Sequence, residues 1–129
     1  MSTVNATKVE CDEITAKSGA GIPNNLLPLT LAAKINFNGE KAVQKARESI
    51  NISTVTYNST GIYTFNFGVA QPSANYTIVS TGGNTAGSTT ITTIKGTPTT
   101  TSFNLELRDS NGVAKDGEYI SILIFEGEK

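Results

Sequence analysis

Residues 62–67 have the sequence Ile-Tyr-Thr-Phe-Asn-Phe, which places an aromatic side chain at every second position. Side chains of a β-strand point alternately to its two faces, so this spacing predicts a strand with one aromatic face and one polar face. Burial of each aromatic ring contributes on the order of 1.5 to 3 kcal/mol. The aromatic face, made by Tyr63, Phe65 and Phe67, is therefore predicted to form the centre of a hydrophobic core.

Alternating segments continue on both sides of this strand. Leu31 to Phe37 is predicted to be the first strand, and Asn38-Gly39 after it favours a turn because both residues tolerate positive φ. The segment Glu40 to Glu48 fits either a short helix or a second strand. Further strands are predicted at Asn75 to Thr81, Thr89 to Lys95, Thr101 to Arg108 and Glu118 to Glu126.

Residues 50–57 change the phase of their alternation. Ile50 and Ile52 share one face, whereas Val55 and Tyr57 follow the opposite phase, and this slip predicts a β-bulge near Ser53. The turn signals nearby and further along are Asn58 to Gly61, Gly96 with Pro98, and a hairpin loop over Asn111-Gly112 and Asp116-Gly117.

The last predicted strand is apolar on both faces. Such a strand is buried on both sides or lies between subunits. One face is made by Ile120, Ile122 and Ile124, and the other by Tyr119, Leu123 and Phe125. With roughly seven short strands and a turn signal roughly every 8 to 12 residues, the chain is predicted to be all-β, an antiparallel β-sandwich or a barrel-like domain.

The first 30 residues do not alternate, and Gly and Pro residues interrupt them. We therefore predict an extended N-terminal arm at 1–30 and a β-sandwich domain at 31–129. The arm ends in an irregular apolar stretch whose leucines need a surface to pack on. The predicted oligomer interface, around a three-fold axis, comprises Leu26, Leu27, Leu29, Ile120, Ile122 and Ile124; packing within one chain is the alternative.

Composition narrows the classes of partner. The 129-residue chain is 37% hydrophobic, which suits one compact domain, and its net charge of −1 with 16% charged residues provides no basic surface for nucleic acid. No apolar stretch approaches the roughly 20 residues needed to span a bilayer, so no membrane insertion is expected. The absence of a signal peptide and the single Cys11 predict synthesis and retention in a cytoplasm.

Catalytic chemistry is not predicted. The chain has no histidine and one cysteine, which excludes a Ser-His-Asp triad, a Cys-His pair and a typical zinc site, and no cofactor is expected. Two carboxylates could serve a glycosidase, but a solvated turn is the favoured interpretation. The calcium-loop pattern fails over residues 109–118 because the glycine stands at the wrong offset. The carboxylates concerned are Glu106, Asp109, Asp116 and Glu118.

One loop is a candidate receptor-binding tip. Asn and Thr side chains bond sugar hydroxyls, and an aromatic ring stacks on a sugar face. The candidate residues are Gly82, Gly83, Asn84 and Thr85, with Tyr76 predicted to lie below them. The alternative is a plain connector between two strands.

Three segments together resemble a known family. They are residues 34–39 (Lys-Ile-Asn-Phe-Asn-Gly), residues 50–67, and Ala74-Asn75-Tyr76. They resemble a domain common in tailed-phage fibre proteins, especially those of marine and cyanobacterial phages, although Lys34 stands where that family usually has an aromatic residue. The resemblance implies an all-β fold, assembly as a trimer and service as a virion appendage, without catalytic residues.

The expected function is that of a structural virion protein, a homotrimeric tail-fibre or host-recognition component. Its expected partners are copies of itself, other virion proteins and a host surface glycan. A capsid decoration protein, whose arm would clamp neighbouring capsid subunits, is the alternative. A small glycan-degrading module is less favoured.

Overall fold

The computed structural model describes residues 31–85 and 90–127, which form two four-stranded antiparallel sheets packed face to face. Sheet 1 has the order β2-β1-β8-β5 and sheet 2 the order β3-β4-β7-β6. The prediction of an all-β antiparallel fold is confirmed, and of the two predicted forms, sandwich or barrel-like, the structure is the sandwich. The arm predicted at 1–30 lies outside the described residues. The strands are β1 (Leu31–Asn38), β2 (Lys45–Ile50), β3 (Ile52–Ser59), β4 (Ile62–Phe67), β5 (Thr77–Gly83), β6 (Thr90–Lys95), β7 (Ser102–Asp109) and β8 (Tyr119–Phe125).

The core lies between the two sheets and is built from alternate residues of the central strands. Tyr63 and Phe65 are fully buried and Phe67 nearly so, which confirms the predicted aromatic face. Phe65 stacks on Phe103 with ring centroids 5.2 Å apart and planes 14° from parallel. Sheet 1 supplies mainly aliphatic side chains to the same core: Ala33, Ile35, Ile120, Ile122 and Ile124.

The chain crosses from sheet 1 to sheet 2 at Asn51, whose φ is 53°. The Asn51 side chain accepts a hydrogen bond from the Val69 amide (2.7 Å) and donates to the Ala32 carbonyl (3.2 Å). Because of this corner, Ile50 is exposed at the end of β2 while Ile52 is buried at the start of β3. The prediction that the two isoleucines share one face is therefore wrong.

Pairing tests three local predictions. The register between β3 and β4 shifts between Ile52 and Thr54, which confirms the bulge near Ser53. The segment that fitted a helix or a strand contains a turn at 41–43 and then β2. The hairpin predicted before the last strand is wrong, because β7 and β8 belong to different sheets and the connection between them crosses the sandwich.

Gly61 in the β3–β4 turn is required on two grounds. Its φ is +73°, and a Cβ at this position would lie 2.6 Å from the carbonyl oxygen of Leu107 and 2.8 Å from that of Lys115. Gly112 has a similar φ of +78° but open space around it. Comparison of substitutions at Gly61 and Gly112 therefore separates the cost of a positive φ from the cost of steric crowding around the added Cβ.

We expect G61A to reduce the free energy of unfolding clearly more than G112A does. A left-handed alanine costs about 1 to 2 kcal/mol at either site, and only Gly61 adds a clash with backbone atoms that cannot move aside. Urea denaturation of the two variants measures the difference. Equal losses would contradict the close approach of Leu107 to Gly61.

Candidate association surface

The outer face of sheet 2 is polar across β3, β4 and β7, where its side chains bond one another, and carries the exposed Ile91 on the edge strand β6. Asn58 Nδ2 donates to Thr64 Oγ1 (2.7 Å), and Thr64 Oγ1 donates to Asn104 Oδ1 (2.7 Å). Asn66 Nδ2 donates to Thr54 Oγ1 (3.0 Å) in the next row. These groups satisfy each other across β3, β4 and β7, so this face is compatible with contact with water.

The outer face of sheet 1 carries a row of three exposed apolar side chains and one lysine. The strand register places Ile50 beside Lys34, Lys34 beside Leu123, and Leu123 beside Val79. Neighbouring strands lie about 4.8 Å apart, so the row crosses all four strands over about 15 Å. Ile50, Leu123 and Val79 are 48%, 40% and 49% exposed. We call these four residues the sheet 1 row.

A depression of about 240 Å³ borders the sheet 1 row. Its floor is formed where Ser121, a short side chain on the central strand β8, lies between Asn36 on β1 and Thr81 on β5. At one side Lys34 Nζ forms an ion pair with Glu48 Oε1 at 2.7 Å. The lysine charge is thereby paired, and the depression can receive an uncharged side chain.

The end of this face is organised by Arg47. Its guanidinium lies 4.5 Å from the ring centroid of Tyr119 and donates to Asn36 Oδ1 (3.1 Å) and to the Glu118 carbonyl (2.9 Å). The Thr85 hydroxyl and amide donate to the Glu118 carboxylate, and these bonds lower the pKa of that carboxyl. The arginine therefore holds the aromatic ring of Tyr119 in place at the end of this face, four residues along β8 from Leu123.

The predicted oligomer interface needs correction on β8. Ile120, Ile122 and Ile124 are buried in the intramolecular core, so they offer no surface to a second copy. Among the residues that the structure describes, β8 is buried on one face only, because Tyr119 and Leu123 on the opposite face are exposed. The alternation of β8 predicts the apolar character of that face, but it does not predict Ile50 and Val79, which join the face only through pairing with neighbouring strands. The other predicted interface residues, Leu26, Leu27 and Leu29, lie outside the described residues.

The candidate receptor-binding tip also needs correction. Tyr76 is 8% exposed, and its hydroxyl donates to the Thr99 carbonyl at 2.9 Å. It precedes the start of β5, about 20 Å from Gly83 at the other end, so it does not lie below the loop. Gly82 has a structural role, because a Cβ there would lie 2.8 Å from Leu107 Cδ2. Asn84 and Thr85 remain at the surface, and residues 86–89 are outside the described part of the chain.

The four carboxylates singled out from the sequence are separately engaged. Glu106 is nearly buried and pairs with Arg108 Nη2 at 2.8 Å, which differs from the expected solvated turn. Asp109 Oδ1 accepts bonds from the amides of Asn111 and Val113, both at 2.9 Å. In residues 31–85 and 90–127 no group of three or more His, Cys, Asp or Glu side chains is arranged to hold a metal ion.

Asp116 joins three connections at one end of the sandwich. Its Oδ1 accepts from the Gly61 amide (2.7 Å) and from the Tyr63 hydroxyl (3.3 Å), and its Oδ2 accepts from the Tyr57 hydroxyl (3.2 Å). Tyr63 also donates to the Gly39 carbonyl at 2.7 Å. Burial, together with the charge of Asp116, raises the pKa of Tyr63 well above its ordinary value. Asp116 is thus a structural residue.

Alkaline titration tests the burial of two tyrosines. Burial raises the pKa of Tyr76 to about 12, and that of Tyr63 is also raised. A raised folded pKa means that the stability from the neutral hydroxyl is complete below the unfolded value, near 10, and is lost as the pH rises above it. We expect the free energy of unfolding to fall above pH 10, and to fall less steeply in Y76F. A Y76F variant with the slope of the wild type would contradict the burial of this hydroxyl.

Comparison with protein-family models, with curated proteins and with solved structures found no match to this chain. The likeness to phage fibre domains therefore stays a prediction from the sequence pattern. None of the described segments is a helix of the length and apolar character that would cross a membrane.

Proposed function

We propose that this protein is a non-enzymatic structural component of a tailed-phage virion that associates with copies of itself as a trimer. The observation that carries self-association is the sheet 1 row, in which Ile50, Leu123 and Val79 are exposed and the one charged residue, Lys34, is paired with Glu48. The outer face of sheet 2 is, by contrast, mostly polar and internally bonded. Clustered exposed apolar side chains rimmed by polar groups mark protein interaction sites on soluble proteins. The assignment to a phage fibre and to host recognition rests on the sequence resemblance.

The carboxylates support the non-enzymatic part of the proposal. Glycoside hydrolysis needs one carboxyl group as a general acid and a second facing it across the substrate. Here Asp116 and Glu106 serve internal bonds in different parts of the fold, and Asp109 accepts the amides of its own turn. This arrangement supports a structural role for each of them.

Sedimentation equilibrium of the full chain tests self-association. We expect a mass three times the 13.6 kDa of one chain, and a shift to the single-chain mass in L123E, which places a charge in the centre of the row. The matched control is I91E, because Ile91 is 51% exposed on sheet 2. A wild-type chain that stays monomeric at all concentrations would remove the trimer from the proposal.

Gold-labelled antibody on intact virions tests the biological assignment. Label at the tail supports a fibre component and justifies a search for the host surface glycan. Label over the head would replace that role by capsid decoration, and virions without label would refute the assignment to a virion protein.

A further inference from the structure

We propose that the sheet 1 row and its depression are covered by the apolar segment Ile22–Leu29 of a neighbouring copy of this chain. The inference rests on the proposed self-association and names the part of the partner that makes the contact. It starts from the exposed apolar row, which the described residues leave without a cover.

The chemistry of the segment matches that of the surface. Residues 22–29 have the sequence Ile-Pro-Asn-Asn-Leu-Leu-Pro-Leu, with four aliphatic side chains and no charge. The row offers aliphatic side chains, and the depression beside it is floored by Ser121 and flanked by amide and hydroxyl groups. The charge within the row, Lys34, is paired with Glu48. Arg47 lies farther along the face, where it donates to Asn36 Oδ1 and to the Glu118 carbonyl. An uncharged leucine-rich segment can therefore cover the row without leaving a buried charge unpaired.

The two prolines suit the segment to this role. Proline has no amide hydrogen and disfavours a helical conformation in the residue before it, so the segment is expected to be extended. An extended segment presents leucines along a line, as a row of side chains across a sheet requires. The row lies on the outer face of sheet 1 rather than at its edge. Contact there is made by side chains, so it does not require the backbone hydrogen bonds that proline cannot donate.

Chain length favours a neighbouring copy over the same chain. The row meets β1 at Lys34, about 10 Å along the strand from Leu31. Leu29 is two residues before Leu31 and reaches about 7 Å at most. Leu27 reaches about 14 Å at most. The roughly 10 Å along the strand and a packing height of about 10 Å combine at right angles to about 14 Å, so no length is left for the chain to reverse. The leucines of one chain therefore cannot all contact the row of that same chain. The length of the connection to Leu31 does not limit their contact with the row of another copy.

Chymotrypsin cleavage after Leu26 and Leu29 reports whether the segment is covered. In the full-length protein we expect cleavage at these bonds to be slow at high concentration and to become faster on dilution, as a contact between copies requires. V79E changes the row itself, far along the chain from the cleaved bonds. At the same concentration it should raise the cleavage rate at least about tenfold, which corresponds to a loss of about 1.4 kcal/mol in the free energy of the contact. The matched control V113E, at an exposed valine in the β7–β8 connection, should leave it unchanged.

A second variant, L26S/L27S, tests the same contact from the side of the segment, and sedimentation reads the mass of each variant. We expect both V79E and L26S/L27S to weaken self-association at least about tenfold.

If both variants keep the wild-type mass, the segment is not the cover, while the proposed self-association stands. If the wild type is monomeric and its segment is protected at every dilution but exposed in V79E, the segment covers its own chain, and both the exchange between copies and the trimer are refuted. If V79E and V113E increase cleavage equally, protection does not come from the row, and the inference fails.

Discussion

F65A is expected to lose about 3 to 5 kcal/mol of the free energy of unfolding, an effect at the upper end for a single truncation. Phe65 has no exposed surface and lies at the centre of the sandwich, stacked on Phe103 and 6.2 Å from the ring of Phe37. Truncation removes the buried ring and leaves a cavity. The neighbouring rings cannot move in to close it, because they are fixed on strands of the two sheets. Domains of this size have about 5 to 15 kcal/mol in total, so the variant is expected to be marginally folded.

Urea denaturation measures the effect, with I91A as the matched control. Ile91 is 51% exposed on an edge strand, and its truncation should cost well under the loss of F65A. Where F65A is too unstable for a folded baseline, the milder F65L provides the comparison. A loss below about 1 kcal/mol in F65A would mean that Phe65 is not at the centre of the core.

D116A is expected to lose about 2 to 4 kcal/mol, a large effect for a polar side chain. The carboxylate accepts bonds from the Gly61 amide and from the hydroxyls of Tyr57 and Tyr63, and it is partly buried with them. Removing it leaves the Gly61 amide and the Tyr57 hydroxyl without this acceptor in a partly buried site, at about 1 to 3 kcal/mol for each unsatisfied group, whereas the Tyr63 hydroxyl keeps the Gly39 carbonyl. The β3–β4 turn is then no longer tied to the connection that leads into β8.

D116N and E126A complete this comparison. The asparagine keeps one acceptor oxygen, so D116N should lose less than D116A. Glu126 is exposed at the end of β8, and E126A should stay near the wild type. If D116A and E126A were equally stable, the network at this end of the sandwich would contribute nothing measurable.

Local alternation was sufficient to predict the strand class and the core. The aromatic rings of Tyr63, Phe65 and Phe67 recur every second residue, and a strand can bury only one of its two faces in a two-layer sandwich, so the buried face followed from the pattern. The bulge near Ser53 followed in the same way, because a change of phase within a strand requires an extra residue.

Tertiary structure alone decided which strands are neighbours and which apolar face stays exposed. Ile50, Leu123 and Val79 are far apart in the sequence and form one row only because β2, β1, β8 and β5 pair in that order. For the same reason the sequence could show that β8 is apolar on both sides but not that its isoleucines face the core. Likewise, Asn51 turns the chain into the second sheet, so Ile50 and Ile52 have different surroundings although their spacing is that of one face. Spacing along the chain reports which side chains share a face of one strand, whereas pairing between distant strands decides what lies opposite each face.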